Sequence, residues 1–588
     1  MYNKGFDRLD VNQRLLYVRN ILIFSLSFLV AGLTYFQLIR ADEYVELASG
    51  NRLRMIRLLP PRGNIYDKNG VPLAVNVRTF DIKGYPVDLS KNEDFERISA
   101  LFARHGIPMT SDDLRERVEK QYVAPYRAIS VATNLTLAQV SDLVMDPAFS
   151  QTLFPSAVWR RIYPGGSLVA HIMGYVGEIT REELEDQRDL YYQGGDIVGK
   201  SGIEAMYEEE LRGTVGDQVV EVDSRGRRLR DVNYNSPQKG NDINLTLDLA
   251  AQREASRLME GKRGALVAMD VQDGAVAAFF SSPTYDPNPL TWGISKKEWS
   301  SLRDDKDRPL MNRVVGGAYP PGSTFKVVTA AAILMEHVAD VHSTVSCSGS
   351  FTLGPQTFRC WKRSGHGTES IVGALRDSCD VYFYQMSVRL GINKLLKWSK
   401  EFGVGQKTGI DLPGEARGNL AGQEWKRTRF KESWYQGDTV NYSIGQGFLL
   451  MTPLQLARVY AAIANGGKLI VPRLNAGKRV EWTDVKISKP NLATIERGIR
   501  AVVSSGTGRI AGHYGVEIAG KTGTAQNPHG EDHAWFAGYA PLKNPKYVAV
   551  ALVEGGGAGS SVAGPLVAQM LAYLLEHERK ERKDKKTT

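Results

Sequence analysis

The stretch Tyr319-Pro-Pro-Gly-Ser-Thr-Phe-Lys326 joins a turn to an apolar run that extends from Val327 to Met335. Two prolines and a glycine are typical of a tight turn, and the apolar run predicts a buried helix that begins at Ser323. Residues three positions apart on a helix share a face, so the Lys326 amine is expected beside the Ser323 hydroxyl. A serine hydroxyl is a weak nucleophile until a base removes its proton. The pattern therefore predicts a nucleophilic serine with a lysine as its base.

Two further motifs follow along the chain, Ser378-Cys-Asp380 and Lys521-Thr-Gly-Thr524. A lysine can take a proton from a serine only if burial or a neighbouring cation lowers the pKa of its amine. The apolar helix supplies the burial for Lys326, and Lys521 supplies the cation. Ser378 can bridge the two amines and relay a proton between them.

The Lys521 motif also predicts a binding site for a substrate carboxylate. Lys521 supplies a charge, and the hydroxyls of Thr522 and Thr524 on either side of Gly523 supply hydrogen bonds. The backbone N–H groups of Ser323 and Thr524 are expected to form an oxyanion hole, which is often the largest electrostatic contribution to acyl transfer.

The same letter patterns occur at two other places, Ser236-Pro-Gln-Lys239 and Lys407-Thr-Gly409. The proline and the polar neighbours of the first pattern predict a loop. The second runs into Ile410-Asp-Leu-Pro-Gly414, which predicts a surface turn. A Ser-x-Asp triplet is common and often only caps a helix. Order and context together select the catalytic set Ser323, Lys326, Ser378, Asp380 and Lys521.

The three motifs in this order are characteristic of penicillin-binding proteins and β-lactamases, and the chain most resembles the class B penicillin-binding proteins, in particular their elongation-specific transpeptidases. The resemblance covers nearly the whole chain. It is carried by Pro61-Arg-Gly-Asn-Ile-Tyr-Asp67, Arg161-Ile-Tyr-Pro164, Gly199-Lys-Ser-Gly-Ile-Glu204, Val267-Ala-Met-Asp270, Ser443-Ile-Gly-Gln-Gly447, Thr452-Pro-Leu-Gln-Leu-Ala457 and His533-Ala-Trp-Phe-Ala-Gly-Tyr-Ala-Pro541. One departure is Asp380, where many relatives have asparagine. A carboxylate there could pair with a cation of the site or alter hydrogen bonding to the substrate.

The resemblance implies a peptidoglycan D,D-transpeptidase that cross-links stem peptides through a serine acyl-enzyme during cell elongation and is a target of β-lactams. It implies no cofactor for catalysis. The implied partners are a SEDS-family glycosyltransferase, contacted through the membrane anchor and the N-terminal domain, and rod-shape scaffold proteins. The alternatives are a D,D-carboxypeptidase, a β-lactamase, a β-lactam sensor and a scaffold. The large N-terminal region disfavours a secreted β-lactamase, and the short stretch before Ile21 disfavours a sensor with a cytoplasmic effector.

Residues Ile21 to Ile39 are almost wholly apolar and uncharged, nineteen in all. That length is enough to cross a bilayer. The flank before Ile21 has more Lys and Arg than Asp, so the positive-inside rule keeps the N-terminus in the cytoplasm. The alternative is a cleaved signal peptide, but no A-x-A-like cleavage site follows the run. We expect a single-pass protein of the inner membrane with its catalytic domain outside the cytoplasm.

Five segments are predicted along the 588 residues. They are a cytoplasmic tail (1–20), an anchor (21–39), a non-catalytic pedestal (40–240), a transpeptidase domain (241–577) and a disordered tail (578–588). Strands are predicted at Ala265 to Ala268, Ala275 to Phe280, Val516 to Thr524, Ala534 to Tyr539 and Tyr547 to Val553, with a helix from Val562 to about His577. The fold class is therefore α+β, an antiparallel sheet with helices on both sides.

The net charge of +9 is modest for this length and identifies no partner. A basic cluster, Arg225-Gly-Arg-Arg-Leu-Arg230, is more typical of a solvated hairpin or linker than of a nucleic-acid site, because the anchor places it outside the cytoplasm. Nucleic acid is therefore not an expected partner.

All three cysteines lie in one stretch with a histidine, in the spacing Cys347-x12-Cys360-x5-His366-x12-Cys379. Four ligands of these types suit a tetrahedral zinc ion. A Cys347–Cys360 disulfide is the alternative, since the extracytoplasmic setting permits one, and free thiols are a third possibility. The odd number of cysteines favours the structural zinc, because a disulfide would leave one thiol over.

Overall fold

The computed structural model describes residues 8–42, 53–89, 92–121, 128–149, 152–186, 192–222, 228–528 and 530–587. Its first element is helix α1 (Arg8–Thr34), which continues as a π-helical turn over Tyr35–Ile39. Within it, the 28 residues Asn12–Ile39 are long and apolar enough to cross a membrane by length and composition. The expected N-terminal apolar helix is thus present, and it begins earlier than Ile21.

The N-terminal region that follows is a mixture of short helices and strands. Its strands are β1 (Leu53–Leu58), β2 (Ile65–Tyr66), β3 (Pro72–Gly84), β4 (Ile129–Leu135), β5 (Leu153–Ile162), β6 (Val176–Glu178), β7 (Ile197–Gly199), β8 (Gly216–Val222), β9 (Arg228–Asn235) and β10 (Ile243–Asn244). Its helices are α2 (Pro86–Leu89), α3 (Asn92–Arg104), α4 (Ser111–Gln121), α5 (Leu137–Met145), α6 (Ala170–Met173), α7 (Arg181–Asp186), α8 (Gly202–Met206) and α9 (Glu208–Leu211).

The long strand β3 organises the upper part of this region. It pairs antiparallel with both β4 and β5. The helices α3, α4 and α5 contribute apolar side chains such as Phe102 and Leu143 to a core that is separate from the rest of the molecule. The family motifs lie outside that core, in the part of the N-terminal region that packs on the C-terminal region.

A buried carboxylate between two guanidinium groups fixes the conformation of this part of the N-terminal region. Glu204 is fully buried and accepts from Arg62 Nη2 at 2.9 Å and from Arg161 Nε at 2.6 Å. Burial alone would raise the pKa of Glu204, but Arg161 and Arg62 hold that pKa below its usual range. A buried charge is tolerated only when it is paired in this way. The motifs around Arg62, Arg161 and Glu204 therefore hold together the part of the N-terminal region that packs on the C-terminal region.

The same part of the N-terminal region docks on the C-terminal region through hydrogen bonds between side chains and backbone groups. His171 Nε2 donates to the Pro309 carbonyl at 2.8 Å, and Asn288 bonds both the N–H and the carbonyl of Tyr163. Burial lowers the pKa of His171 to about 4, so the imidazole is neutral at physiological pH.

The C-terminal region contains the second set of elements. Its strands are β11 (Gly264–Asp270), β12 (Val276–Ser282), β13 (Thr344–Cys347), β14 (Ser350–Leu353), β15 (Gln356–Arg359), β16 (Gly367–Ser370), β17 (Lys468–Ile470), β18 (Trp482–Asp484), β19 (Ala519–Ala525), β20 (His533–Ala540) and β21 (Tyr547–Val553). Its helices are α10 (Leu249–Leu258), α11 (Asn288–Trp292), α12 (Lys296–Arg303), α13 (Lys326–Met335), α14 (Ile371–Arg376), α15 (Asp380–Leu390), α16 (Ile392–Glu401), α17 (Gln423–Phe430), α18 (Gln436–Ser443), α19 (Pro453–Ala464), α20 (Lys489–Ser504) and α21 (Ala563–Thr587).

Five of these strands form an antiparallel sheet in the order β12-β11-β21-β20-β19. One face packs on a core that includes α13 and α19, and the other packs under α10 and α21. The expected α+β class, with an antiparallel sheet between helices, is confirmed. The edge strand β19 carries Lys521, so the sheet positions one motif directly.

The C-terminal tail differs from the expectation of disorder. Helix α21 continues to Thr587. Exposed ion pairs at spacing i,i+4 support its last turns, such as Glu576–Lys580 at 2.8 Å and Glu578–Arg582 at 2.7 Å. Glu581 also pairs with Lys68 of the N-terminal region at 3.2 Å. This distant partner explains why a locally polar stretch is ordered. Part of the basic cluster, residues 225–227, lies outside the described residues.

Acidification is expected to weaken the docking contact of His171. An unfolded histidine titrates near 6.5, whereas the pKa of buried His171 is about 4. The unfolded chain binds more protons between these values, so the stability that His171 contributes is complete above 6.5 and declines as the pH falls towards 4, by about 3 kcal/mol in total. Between these pH values the Tm of the wild type should fall more steeply than that of His171→Gln, which keeps an N–H donor but cannot titrate. Equal slopes in calorimetry would contradict this assignment.

Candidate active site

Ser323 lies in a short 3₁₀ turn, Gly322–Phe325, at the entrance of helix α13. Residues three apart are eclipsed in such a turn, so Ser323 and Lys326 leave it on the same side. Thr324 and Phe325 are buried, whereas Ser323 is only half-buried. A substrate can therefore reach the hydroxyl of Ser323 while the rest of the turn is held in the core.

A glycine loop supports this turn from behind. The N–H of Gly322 donates to the Gly445 carbonyl at 2.9 Å, and the Thr329 hydroxyl donates to the Ser443 carbonyl at 2.7 Å. Gly445 has a φ of +76°, and a Cβ there would lie 2.1 Å from the Gly322 oxygen. The motif Ser443-Ile-Gly-Gln-Gly447 is thus the backing of the nucleophile turn.

Lys326 is fully buried beside the second motif. Its Nζ donates to the Ser378 carbonyl at 2.8 Å, to Ser378 Oγ at 3.2 Å and to Asp380 Oδ1 at 2.7 Å. Three acceptors match the three N–H bonds of an ammonium, whereas a neutral amine has two. The arrangement therefore holds Lys326 as a cation. Within the described residues, Lys326 makes no hydrogen bond to Ser323.

Asp380 uses both of its carboxylate oxygens. Oδ1 accepts from Lys326, and Oδ2 accepts the backbone N–H of Trp361 at 3.0 Å. An asparagine has a single acceptor oxygen, so it would place its amide N–H₂ against one of these two donors. The expected pairing of this carboxylate with a site cation is observed, and the second donor gives a physical reason for an aspartate here.

Lys521 is fully buried on the edge strand β19. Its Nζ donates to the Thr522 carbonyl at 3.2 Å and lies 3.5 Å from Thr522 Oγ1. Burial, followed by the charge of Lys326, lowers the pKa of Lys521 well below its usual value. Lys521 has no carboxylate among its hydrogen-bond partners in the described chain. Of the two lysines, Lys521 is therefore the one suited to receive a proton when an anion binds.

The strand β19 lies directly against the nucleophile turn. A Cβ at Gly523 would be 2.9 Å from Thr324 Cγ2 and 3.0 Å from the Pro321 carbonyl. A Cβ at Gly322 would be 2.8 Å from the Thr524 carbonyl. Glycines are required here because the two backbones approach so closely. The structure thus brings together Ser323, Lys326, Ser378, Asp380, Lys521, Thr522, Gly523 and Thr524.

The competing letter patterns are not brought to this place. Ser236 is exposed immediately after β9, outside any helix or strand. Thr408 is buried, and its backbone N–H donates to Glu415 Oε1 at 2.6 Å. Neither pattern contacts a lysine or serine of the three motifs in the described residues. The expectation of a loop at Ser236 is confirmed.

The four predicted metal ligands also come together. The Sγ atoms of Cys347 and Cys360 lie 3.6 and 3.5 Å from His366 Nδ1. One ligand atom from each of these residues and from Cys379 can be chosen so that all lie within 4.8 Å of one another. All three cysteines are buried and free, so none forms a disulfide. Donors of this type and spacing fit a tetrahedral zinc, in which thiolate bonds of about 2.3 Å place neighbouring donors roughly 3.7 Å apart.

Two family models match this chain, one over its N-terminal region and one over its C-terminal region. Residues 264–572 match the family model described as penicillin binding protein transpeptidase domain, and residues 57–245 match the penicillin-binding protein dimerisation domain. The chain belongs to the class B penicillin-binding proteins. It is similar to the peptidoglycan D,D-transpeptidase MrdA of Haemophilus influenzae, with 35% identity over 96% of this chain and 92% of the relative. The MrdA protein of Acinetobacter baumannii is 36% identical over 94% of this chain and 86% of its own length.

Solved structures of penicillin-binding proteins share the fold. A complex of PBP2 and MreC from Helicobacter pylori has a TM-score of 0.82 and 33% identity, and covers 89% of this chain and 99% of that one. PBP2 of Pseudomonas aeruginosa has a TM-score of 0.69 and 35% identity, with 89% and 97% covered. The family resemblance inferred from the motifs is confirmed.

Sequence reasoning missed several residues that shape the site of this penicillin-binding protein. The Glu554 carboxylate accepts from Tyr319 Oη at 2.6 Å and from Arg313 Nε at 2.7 Å, which holds the turn before Ser323. Gln446 Nε2 donates to the Thr524 carbonyl at 3.4 Å. Tyr319 stands close to the nucleophile in sequence and Gln446 lies within a family motif, so both could have been found. Glu554 carries no such local signal.

Replacing the glycine behind the nucleophile turn should reduce acylation. Gly445→Ala adds a Cβ where only 2.1 Å separates it from the Gly322 oxygen, so the Ser323 turn must shift. A misplacement of about 1 Å can cost about a hundredfold in rate, and we expect a loss of that order in β-lactam acylation. The matched control is Gly70→Ala, which has a similar φ of +78° but nothing within 4 Å. Equal acylation rates in the two variants would contradict the role of this contact.

Proposed function

We infer that the chain is a peptidoglycan D,D-transpeptidase that acts through an acyl-enzyme at Ser323. The observation that carries this proposal is the convergence of the three motifs, with Lys326 bonded to Ser378 and Asp380 and the Lys521 strand packed on the Ser323 turn. The family match and the relatives named D,D-transpeptidase support it.

Acyl transfer then proceeds in two steps. In the first, Ser323 Oγ bonds to the carbonyl carbon of the penultimate D-Ala of a stem peptide, and the amide bond to the terminal D-Ala breaks. The proton of Ser323 passes through the lysine base to the departing amine. In the second, an amine of a neighbouring stem peptide attacks the ester, and Ser323 regains its proton. The cross-link has then formed and one D-Ala has been released.

The substrate carboxylate has a second task besides binding. Lys326 is an ammonium at rest, so it cannot accept a proton from Ser323 until it has lost one of its own. A terminal carboxylate beside Lys521, Thr522 and Thr524 favours a proton on Lys521, because an opposite charge stabilises the charged form. The proton of Lys326 moves to Ser378 Oγ as Ser378 gives its own proton to Lys521. Substrate binding thus produces the neutral Lys326 that acts as the base.

Covalent labelling tests the nucleophile. A fluorescent penicillin should label the wild type and Ser236→Ala, and should not label Ser323→Ala, because Ser323 is the half-buried serine on the turn that the Lys521 strand packs against. Mass spectrometry of the labelled peptide should place the adduct on Ser323. Persistent labelling of Ser323→Ala, or an adduct on Ser236, would falsify the proposal.

The stability of a variant at Asp380 tests its two contacts. Asp380→Asn keeps one acceptor oxygen and turns an amide N–H₂ towards either Lys326 or the backbone N–H of Trp361. A buried donor left without an acceptor costs about 1–3 kcal/mol, so the Tm measured by calorimetry should fall. Asp273→Asn, which disrupts a remote pair with Arg473, serves as the control. Equal Tm values for the two variants would contradict the paired role of Asp380.

The apolar helix supports a location in the inner membrane, with the N-terminus inside and the catalytic domain outside. This orientation rests on the positive-inside rule, and a C-terminal reporter enzyme active only beyond the membrane tests it.

We propose rod-shape scaffold proteins and a SEDS-family glycosyltransferase as partners. They are supported by the solved complex of a relative with MreC and by the structure of a peptidoglycan synthase complex, which has a TM-score of 0.73 and 30% identity to this chain. Small residues at Ser25, Ser27, Ala31 and Gly32 suit a helix contact in the membrane.

A structural zinc ion is the second part of the proposal. Cys347, Cys360, His366 and Cys379 would hold it, and four protein ligands would leave no position for an activated water. When bound, the ion would join the segment from β13 to β16 to the start of α15. That helix begins with Asp380, and Ser378 directly precedes Cys379. The zinc would thus fix the second motif without touching the substrate.

Chelation should reveal this zinc through stability. Removing the ion should lower the Tm by roughly 4 °C, the shift that about 2 kcal/mol produces in a domain of this size, and should slow acylation because Ser378 loses its support. Adding zinc back should restore both, and elemental analysis should find one zinc per chain. Metal-free protein purified without a chelator, together with a mapped Cys347–Cys360 bond, would replace the zinc with the disulfide.

A further inference from the structure

An exposed aromatic surface borders the active site. The described part of residues 241–577 exposes only five large apolar side chains, namely Trp361, Phe430, Tyr435, Trp482 and Ile510. Trp361 contacts Asp380 directly, Tyr435 begins a helix that packs on the helix of Asp380, and Phe430 packs on Phe448. Water-exposed aromatic rings on ordered elements are typical of binding surfaces. We call these three rings, with the half-buried Phe448, the aromatic rim.

One end of the rim lies at Asp380. The backbone N–H of Trp361 donates to Asp380 Oδ2 at 3.0 Å, and its indole Nε1 donates to the Asp377 carbonyl at 3.0 Å. The ring also packs on His366, with 5.4 Å between centroids. The indole is therefore held on several sides, yet 56% of Trp361 is exposed.

The other end lies at Thr524. Gln446 donates to the Thr524 carbonyl, and Phe448 follows two residues later. Phe448 packs on Phe430, with 5.4 Å between ring centroids. Lys426 Nζ lies over both Phe448, at 5.8 Å, and Tyr435, at 4.7 Å. Phe430, Tyr435 and Phe448 are thus one connected group.

A direct contact joins the two ends. A Cβ at Gly437 would lie 3.1 Å from Phe358 Cζ, so strand β15 packs on the start of helix α18. Phe358 precedes Trp361 by three residues, and Gly437 follows Tyr435 by two. These contacts therefore connect the rim from the second motif to the third.

Positive charge accompanies the rings. Lys362 and Arg363 follow Trp361, and Arg427, Arg429 and Lys431 surround Phe430. All five of these side chains are exposed. No ion pair is formed by any of them within the residues that the structure describes. The surface therefore offers apolar ring faces together with unneutralised cations, which suits a ligand that alternates apolar faces with carboxylates.

We propose that the aromatic rim binds the glycan strand of uncross-linked peptidoglycan, with sugar rings on the aromatic faces and stem-peptide carboxylates on the cations. Pyranose rings present C–H faces that stack on aromatic rings, and stem peptides carry free carboxylates. The strand lies along the rim and presents stem peptides to Ser323 in succession. This inference rests on the proposed transpeptidase function and extends it from the stem peptide to the polymer that carries it.

The test separates polymer binding from acylation. Full-length protein in detergent is mixed with solubilised uncross-linked glycan strands, and the Kd is measured by surface plasmon resonance. Tyr435→Ser and Phe430→Ser should each raise this Kd about tenfold, as expected for the loss of one aromatic contact. Their acylation rate with a fluorescent penicillin, which is too small to span the rim, should stay within about twofold of the wild type. Trp482→Ser, which removes a ring of similar exposure on β18, should change neither quantity.

A charge variant guards against misfolding of the aromatic variants. Arg427→Gln combined with Arg429→Gln and Lys431→Gln keeps every ring, and it should weaken strand binding and reduce the salt dependence of the Kd. Wild-type strand affinity in both the aromatic and the charge variants would overturn the proposal. The proposal is equally wrong if these variants bind strands normally but lose a co-purifying protein partner. Failure of the wild type to acylate Ser323 would instead refute the transpeptidase, whatever the strand affinity.

Discussion

The buried ammonium of Lys326 is the constraint on which the rest of the catalytic region depends. A charge without solvent must have every N–H satisfied, and the acceptors here are the Ser378 carbonyl, Ser378 Oγ and Asp380. Helix α13 has to place the amine within reach, helix α15 has to begin with Asp380, and Ser378 has to take a φ of +55° so that both of its oxygens face the amine. Nonglycine residues seldom adopt such a φ, and they do so where the surrounding structure demands it. The second motif is thus shaped by the needs of a cation.

The proposed reaction needs one neutral lysine and one charged lysine in the same buried region. Nucleophile activation needs a neutral amine, and carboxylate recognition needs a charged one. Two like charges in a common buried region oppose each other, and the lowered pKa of Lys521 reflects both burial and the charge of Lys326. In the proposed mechanism, the carboxylate of an arriving substrate favours a proton on Lys521 and leaves Lys326 neutral.

The sequence predicted those strands and turns that are determined by residues close together in the chain. The strand Tyr547–Val553 was predicted within its observed bounds because every residue in it is apolar and buried, and the hairpin of β11 and β12 was signalled by Asp273-Gly274. Helix α21 runs through the tail for which local polarity predicted disorder, and Glu581 there pairs with Lys68, more than five hundred residues away. Glu554 was missed for the same reason, since its link to Tyr319 exists only in the folded chain. The site residues with their own motifs were found, and the residues that hold them through distant contacts were not.

The ion pair between Lys68 and Glu581 has a mechanical consequence. Lys68 also bonds Asp248 at 2.8 Å, the N-cap of helix α10, so one side chain joins the beginning of the N-terminal region to two helices of the central sheet. Helix α21 packs on strands β20 and β21, and β20 is the neighbour of β19, which carries Lys521. The two helices that cover one face of the five-stranded sheet are therefore tied, through one lysine, to the segment that directly follows β2.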